Sequence, residues 1–269
     1  MSLTVQPNGT TPVASREPAL SVLDRFRLED RVVIVTGGSS GLGVAFAQAC
    51  ADAGADVVIA ARRADRLETT LELVRDAGRD GLAVTADVSS EQDCRRIVEE
   101  TVERFGRVDV LVNNAGVAES RPAEQLTGFD FQRVLEVNVT ACFNMARAAA
   151  EHMPGGSSIV NVSSVMGLTT IEVPSSAYSA SKAAVLGLTR ALAREWTVSK
   201  GIRVNAILPG FFPSEMTPAV AAQMLSHRLA MGRLGDPDEL AAAVVFLASD
   251  ASSYMTGAEL LVDGGFMLT

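Results

Sequence analysis

Histidine is nearly absent from this chain: His152 and His227 are the only two in 269 residues. They stand far apart without metal-ligand spacing, so no metal site is expected and both take surface or structural roles. Nor does a histidine or acid stand where it would activate a serine, which excludes a hydrolase nucleophile. The three cysteines, Cys50, Cys94 and Cys142, fall inside apolar or helical patterns. With no Cys-x-x-Cys pair and no even-numbered framework, they read as reduced core residues. Cations are in deficit, 23 Lys and Arg against 32 Asp and Glu, for a net charge of −9 and a pI near 4.8. That balance argues against nucleic acid and anionic membrane surfaces as partners, since both need clustered cations. No apolar run approaches the roughly 18 residues of a membrane span, and no basic segment followed by an apolar core opens the chain, so a cytoplasmic protein is expected. There is no internal repeat.

What is present is enough apolar residue, 48% of the total, for one large core. Residues 1–20 carry Pro7, Gly9, Pro12 and Pro18 among Ser and Thr. They read as a flexible N-terminal arm or, alternatively, as a strap reaching a neighbouring subunit. Residues 21–269 read as a single domain, whose motifs below point to dinucleotide binding and catalysis.

The core opens with Arg31-Val-Val-Ile-Val35, a short continuous apolar run typical of a strand buried on both faces. It leads into Thr36-Gly-Gly-Ser-Ser-Gly-Leu-Gly43 and then an Ala-rich helix over 44–53. Gly37, Gly41 and Gly43 allow a tight turn and close approach of a ligand, while the helix start aims N–H groups and its positive dipole end at a pyrophosphate. Thr36, Ser39, Ser40 and Leu42 belong to the same loop. A structural turn without a ligand is the alternative, and the glycine spacing departs from Gly-x-Gly-x-x-Gly.

A second buried strand, 57–60, ends at Ala61-Arg62-Arg63, where a carboxylate would otherwise bind the ribose hydroxyl of NAD. Two arginines there favour the 2′-phosphate of NADP, with NAD still possible and plain solvated arginines as the alternative. A helix over 65–77 and a third strand over 82–87 follow. Asp87 and Val88 close that strand, and Asp87 either accepts from an adenine amino group or, with Ser89 and Ser90, caps the helix over 91–105. The fourth strand, 108–116, ends in Asn113-Asn114-Ala115-Gly116, two uncharged amides and a small pair that leave room for a flat cofactor.

Alternating strands and helices predict an α/β, doubly wound parallel sheet of about seven strands with helices on both faces and ligands at its carboxyl edge. A long helix over 131–153 carries Asn138, which either opens the helical ladder or is an exposed, back-bonded amide. A fifth strand over 158–167 brings Ser163 and Ser164 to the ligand edge. Tyr178-Ser-Ala-Ser-Lys182 then places a phenol and an ammonium one helical turn apart, and the nearby cation favours the phenolate. Alone, this pattern reads as a solvated pair on an amphipathic helix, and it is the motifs upstream that turn the reading toward catalysis. A sixth strand over 201–210 ends in Pro209-Gly210. Segment 211–234, with Phe211, Phe212, Met216, Met224, Leu225, Leu229 and Met231, is either a substrate lid or a subunit-contact helix pair. A helix over 237–249 and a last strand over 258–262 complete the chain.

Taken together, TGGSSGLG, NNAG at 113–116, Asn138, Ser164, YSASK and Pro209-Gly210 in this order resemble the short-chain dehydrogenase/reductase family over residues 28–269, in its compact single-domain branch. The resemblance implies a Rossmann fold and hydride transfer to or from a nicotinamide. Tyr178 would be the general acid or base, and Lys182 would support its ionised form and bind the nicotinamide ribose. Ser164 would position the substrate oxygen. Asn138 would hold a water linking Lys182 to solvent, and Asp87 with Asn113 would line the adenine side. The family pattern also implies a homotetramer built partly through the two long helices. The leading expectation is an NADP-dependent oxidoreductase interconverting a small-molecule ketone and a secondary alcohol. Many similar chains reduce 3-oxoacyl groups on acyl carrier protein, which is the alternative substrate. A non-catalytic dinucleotide-binding regulatory subunit is the alternative of another class.

Overall fold

In the computed structural model, which describes residues 21–213 and 227–268, the first apolar run forms strand β1 (Val32–Thr36), buried throughout. Side chains alternate between faces along a strand. Val33 and Val35 therefore join one core layer, with Val57 and Ile59 of β2 (Asp56–Ala61), while Val32 and Ile34 join the other, with Val58 and Ala60. Each fully buried valine or isoleucine contributes on the order of 2 kcal/mol, and double-sided burial explains why these strands are nearly continuous apolar runs.

Five further strands complete the sheet: β3 (Gly81–Thr85), β4 (Val110–Asn113), β5 (Ser158–Val162), β6 (Arg203–Pro209) and β7 (Glu259–Val262). All pair in parallel, in the order β3-β2-β1-β4-β5-β6-β7. Helices α1 (Leu42–Asp52), α2 (Ala64–Asp76) and α7 (Pro237–Ala248) cover one face through Phe46, Leu67, Leu71, Leu240 and Val244. Helices α3 (Glu91–Phe105), α5 (Ala141–Ala149) and α6 (Ser176–Lys200) cover the other through Cys94, Ile97, Met145 and Leu192. This is the doubly wound architecture expected from the alternation of elements. The strand order reverses between β1 and β4, and the crevice at their carboxyl ends is where such sheets bind ligands.

Several boundaries move from the sequence reading, each for a local reason. Strand β3 stops at Thr85 because Asp87 N–H turns away to the Asp93 carboxylate at 2.8 Å, which releases Asp87 into a turn. Strand β5 stops at Val162, leaving Ser163 and Ser164 beyond the sheet. The long helix holding Asn138 starts earlier, as α4 (Gly128–Leu135), and widens into a π-helical turn at Glu136–Thr140 before α5. Residues 1–20 lie outside the described residues, as do 214–226, which include Met216, Met224 and Leu225 of the expected lid. No described helix is long and apolar enough to cross a membrane.

The helix starts differ. Ser90 caps α3, Thr127 and Asp130 form a capping box on α4, and Asp236 and Glu239 form another on α7, where Pro237 takes the first helical position. Helix α1 starts from Gly41 with no side-chain cap and no acidic residue in its first turn.

Candidate active site

The open start of α1 faces a cavity of about 530 Å³ at the sheet's carboxyl edge. Gly41 enters the helix at φ 57, a conformation that favours glycine, and a Cβ on Gly43 would stand 2.2 Å from the Gly37 carbonyl oxygen. The loop is thereby drawn tightly over β1, leaving first-turn N–H groups without intrahelical acceptors. No carboxylate in that turn competes for them. This is the electrostatic environment an anionic pyrophosphate requires.

Of the sequence-derived cofactor residues, Gly37, Ser39, Ser40, Gly41, Leu42, Gly43, Arg62, Arg63, Asp87, Val88, Asn114, Ala115, Gly116, Tyr178, Lys182, Pro209 and Gly210 all line this cavity. Thr36 does not. It is buried, and its hydroxyl accepts from the Asn114 and Ala115 N–H groups at 3.0 and 3.1 Å, so it shapes the cleft by joining β1 to the end of β4. Asn114 returns the link, donating to the Thr36 carbonyl at 2.9 Å. Asn113 is also displaced from its expected place on the adenine side. As the last residue of β4 its side chain faces the core, where its amide donates to the Asn161 side chain at 2.9 Å and to the Cys142 carbonyl. Asn161 in turn donates to Thr189 of α6, a buried polar chain that ties two strands to the helix bearing Tyr178.

Arg63 donates to the hydroxyls of Ser39 and Ser40 at 3.4 and 2.7 Å, which draws the end of β2 and the glycine loop into one polar wall. Arg62 is exposed beside it and makes no hydrogen bond or ion pair among the described residues. Asp87 combines its two anticipated roles only in part. One carboxylate oxygen accepts from the Ser89 N–H and hydroxyl, and the helix cap passes to Ser90.

At the other end of the cavity stand Ser164, Tyr178 and Lys182. Lys182 is 5% exposed, and its Nζ donates to the Val162 carbonyl at 2.9 Å and lies 5.5 Å from the centre of the Tyr178 ring. An ammonium has three donors, so two remain for the cavity it lines. The charge reaches Cys142, whose thiol is pushed up to about 11 by burial against the opposing pull of Lys182. Cys50 and Cys94 are pushed up to about 12, chiefly by burial, and all three thiols are free. The neighbouring serines divide cleanly. Ser163 donates its hydroxyl proton to the Lys182 carbonyl at 2.8 Å. The Ser164 hydroxyl accepts from the Met166 N–H at 3.1 Å and has no acceptor for its own proton among the described residues.

Asn138 does not line the cavity. Its amide oxygen accepts from the Val117 N–H at 2.8 Å, and its nitrogen donates to the Val117 carbonyl and the Ser181 hydroxyl, both at 2.9 Å. Ser181 donates onward to the Tyr178 carbonyl at 2.7 Å. The π-helical turn thus binds the loop after β4 to the Tyr178 helix.

Beyond Tyr178, Val165, Met166, Leu229 and Phe266 form an apolar cluster that Tyr178, Ile171, Phe211 and Leu234 join. Phe211 and Phe266 meet edge to face at 5.0 Å. The sequence reading missed Phe266, hidden in the last few residues, and also Val117, Arg133 and Val137 of the cavity wall, whereas Phe212, named in the expected lid segment, lines the cavity. For Arg133 and Val137 a signal existed: they are four apart on the helix face adjoining Asn138. No group of three metal-ligating side chains occurs among the described residues.

A family model described as Enoyl-(Acyl carrier protein) reductase matches residues 37–267. The chain is 42% identical over 243 residues to cis-4-hydroxycyclohexanecarboxylate dehydrogenase of Sinomonas cyclohexanicum, covering 88% of this chain and 96% of that protein. Its fold matches a short-chain type dehydrogenase/reductase from Mycobacterium marinum with a TM-score of 0.89 at 36% identity, over 93% of this chain and 100% of the other. A short chain dehydrogenase from Burkholderia cenocepacia, solved in complex with NADP, matches with a TM-score of 0.86 at 36% identity, over 90% and 99% of the two chains.

Proposed function

The chain belongs to the short-chain dehydrogenase/reductase family and is an NAD(P)-dependent oxidoreductase acting on CH–OH groups, and from that premise we propose that it interconverts a ketone and a secondary alcohol using NADP. The observation that carries this reading is the meeting of Tyr178, Lys182 and the uncommitted Ser164 hydroxyl at one end of a cleft whose other end is an open helix start. The fit of a dinucleotide is supported by surplus donors: first-turn N–H groups of α1 for the pyrophosphate, and Lys182 donors for ribose hydroxyls.

The bound nicotinamide supplies hydride transfer to or from the carbon that bears the reacting oxygen. Ser164 donates a hydrogen bond to that oxygen and fixes its position. Tyr178 gives the oxygen a proton in the reductive direction and takes it back in the oxidative one. Lys182, one helical turn along with its ammonium 5.5 Å from the centre of the ring, places a positive charge beside the phenol and offers its remaining donors to the cavity. Asn138 holds the geometry by fastening Val117 to Ser181. The apolar cluster around Tyr178 suits a mainly apolar substrate.

NADP is favoured by the absence of a carboxylate at the end of β2 and by Arg62 and Arg63 in its place. The NADP complex of the Burkholderia cenocepacia enzyme adds support by likeness. A 3-oxoacyl group on acyl carrier protein is the second reading, favoured by likeness to the 3-oxoacyl-[acyl-carrier-protein] reductase of Thermotoga maritima, 37% identical over 90% of this chain. The net charge of −9 weighs against an acidic carrier. A cytoplasmic homotetramer built through α4–α5 and α6 completes the proposal, and light scattering on the purified protein tests its assembly.

The enzymatic test follows absorbance of the reduced nicotinamide over a panel of ketones and secondary alcohols, with NADPH and NADH. Turnover by the wild type that is abolished in Tyr178→Phe supports the mechanism. Equal rates in the two proteins on every substrate would falsify it.

A further inference from the structure

The cofactor cleft does not end at Arg62. A second cavity of about 440 Å³ continues from it, sharing Arg62, Asp87, Val117, Arg133 and Val137 as lining and adding Ser89, Phe129, Gln132 and Glu136. Arg133 enters from α4 and Arg62 from the end of β2. In this acid-rich chain many exposed arginines are matched to a carboxylate, as Arg75 is to Glu68, Arg95 to Glu91, Arg104 to Asp80 and Arg121 to Glu119. Arg133 has neither a hydrogen bond nor an ion pair among the described residues, and the same is true of Arg62. Two guanidinium groups without a hydrogen-bonded or ion-paired partner among the described residues therefore line one slot, each from a different element.

The charge of the slot selects between two ligands. Arg62 and Arg133 are balanced by Asp87 and Glu136 in the same lining, so the annex is formally neutral. A phosphate dianion would meet two carboxylates there, whereas a neutral aromatic base meets donors, acceptors and two planar cations that stack on π faces. Asp87 adds direction. Its Oδ1 is taken by Ser89, and its Oδ2 has no partner among the described residues, leaving an acceptor for an exocyclic amino group. A 2′-phosphate falls instead to the end of β2, where Arg62 stands beside Arg63 and Arg63 is gathered with Ser39 and Ser40.

On the reading that this cleft holds a nicotinamide dinucleotide, we propose that Arg133 is an adenine-binding residue, stacking its guanidinium on the base from the α4 side. It closes the adenosine end without reading the 2′-phosphate. Ordinary helical spacing sets this arrangement: Val134 and Asn138, four apart, stay buried, while Arg133 and Val137, also four apart, keep to the cleft.

The test is equilibrium binding, read as reduced-nicotinamide fluorescence, for wild type, Arg133→Leu and Arg133→Lys with NADPH, NADH and reduced nicotinamide mononucleotide. Arg133→Leu is expected to weaken both dinucleotides by the same factor, about 3- to 30-fold, the range of a partly desolvated cation–π contact. Arg133→Lys keeps only part of the affinity, since an ammonium cannot stack as a plane. Binding of the mononucleotide, which lacks adenosine, stays unchanged and reports that the fold is intact. A loss confined to NADPH, a loss shared by the mononucleotide, or no loss at all overturns the proposal. Wild type that binds NADH in preference to NADPH overturns the NADP assignment and leaves the adenine contact standing. Wild type that binds neither overturns both.

Discussion

The two ends of the one sheet treat their polar groups in opposite ways. At the amino end, buried Asp109 accepts from the Val32 N–H and from Arg107, and buried Arg203 donates to the Leu247, Ser249 and Met255 carbonyls and the Ser252 hydroxyl. The Ser158 hydroxyl also donates to Leu247, so the C-terminal end of α7 is sealed by protein groups. Burial lowers the pKa of Arg203 from its ordinary value, yet both terminal nitrogens of its guanidinium donate to protein oxygens. At the carboxyl end the same accounting leaves a surplus: first-turn N–H groups of α1, the Ser164 proton, two Lys182 donors and the Arg62 guanidinium. Satisfied polar groups hold a fold together. Unsatisfied ones facing a cavity are held ready for a ligand, at some cost to stability.

The contrast can be broken most directly at Tyr178. Tyr178→Phe is expected to lower kcat by about 10³-fold, the usual worth of a positioned proton donor, while the thermal midpoint barely moves. Steady-state rates beside a melting curve check both halves. At the opposite end, Arg203→Met should do the reverse, costing about 3 kcal/mol of stability by leaving buried carbonyls short of donors, with kcat per folded molecule unchanged. Urea unfolding measures the loss, and a large fall in kcat there would end the division of labour. Arg62→Asp sharpens the picture within the cleft: NADPH affinity should fall roughly 10- to 100-fold and NADH affinity should hold or rise. An unchanged preference by titration removes Arg62 from cofactor choice.

The smallest effects belong to the closed helix starts. Asp236→Ala should cost about 1 kcal/mol of stability and nothing in turnover. Its partner Glu239 is lowered to about 2 by Arg233 and by the Asp236 N–H. A depressed carboxylate contributes stability above its ordinary value of 4.5, and the contribution is lost as pH falls toward about 2. The difference in thermal midpoint between wild type and Glu239→Gln should therefore shrink across that window and be constant from pH 5 to 7.

This same contrast explains what the sequence made legible. Strands buried on both faces announce themselves as apolar runs, and glycines without a cap mark the open helix start, so the sheet and the pyrophosphate end of the cleft could be read directly. Ser164 was separable from Ser163 only by its following residues, and the structure distinguishes them by where each proton goes. Asn113 misled because amides at a strand's end look alike whether they turn to a ligand or to a buried partner such as Asn161. Asn138 was visible as a helix irregularity, but its partners, Val117 and Ser181, are 21 and 43 positions away. Phe266 could not be placed at all, because its meeting with Phe211 depends on how distant segments return to one spot.

The wide turn at Glu136–Thr140 sets the angular phase of everything after it in that helix. Its i→i−5 bond encloses one residue more than an α-helical turn, so deleting one position there would close it to a plain α-turn and leave Met145 and Ala149 facing the core. What such a deletion removes is the socket in which Asn138 grips Val117 and Ser181. Adding a residue has the opposite consequence: each residue advances a helix by about 100°, so α5 would turn its buried face away from the sheet.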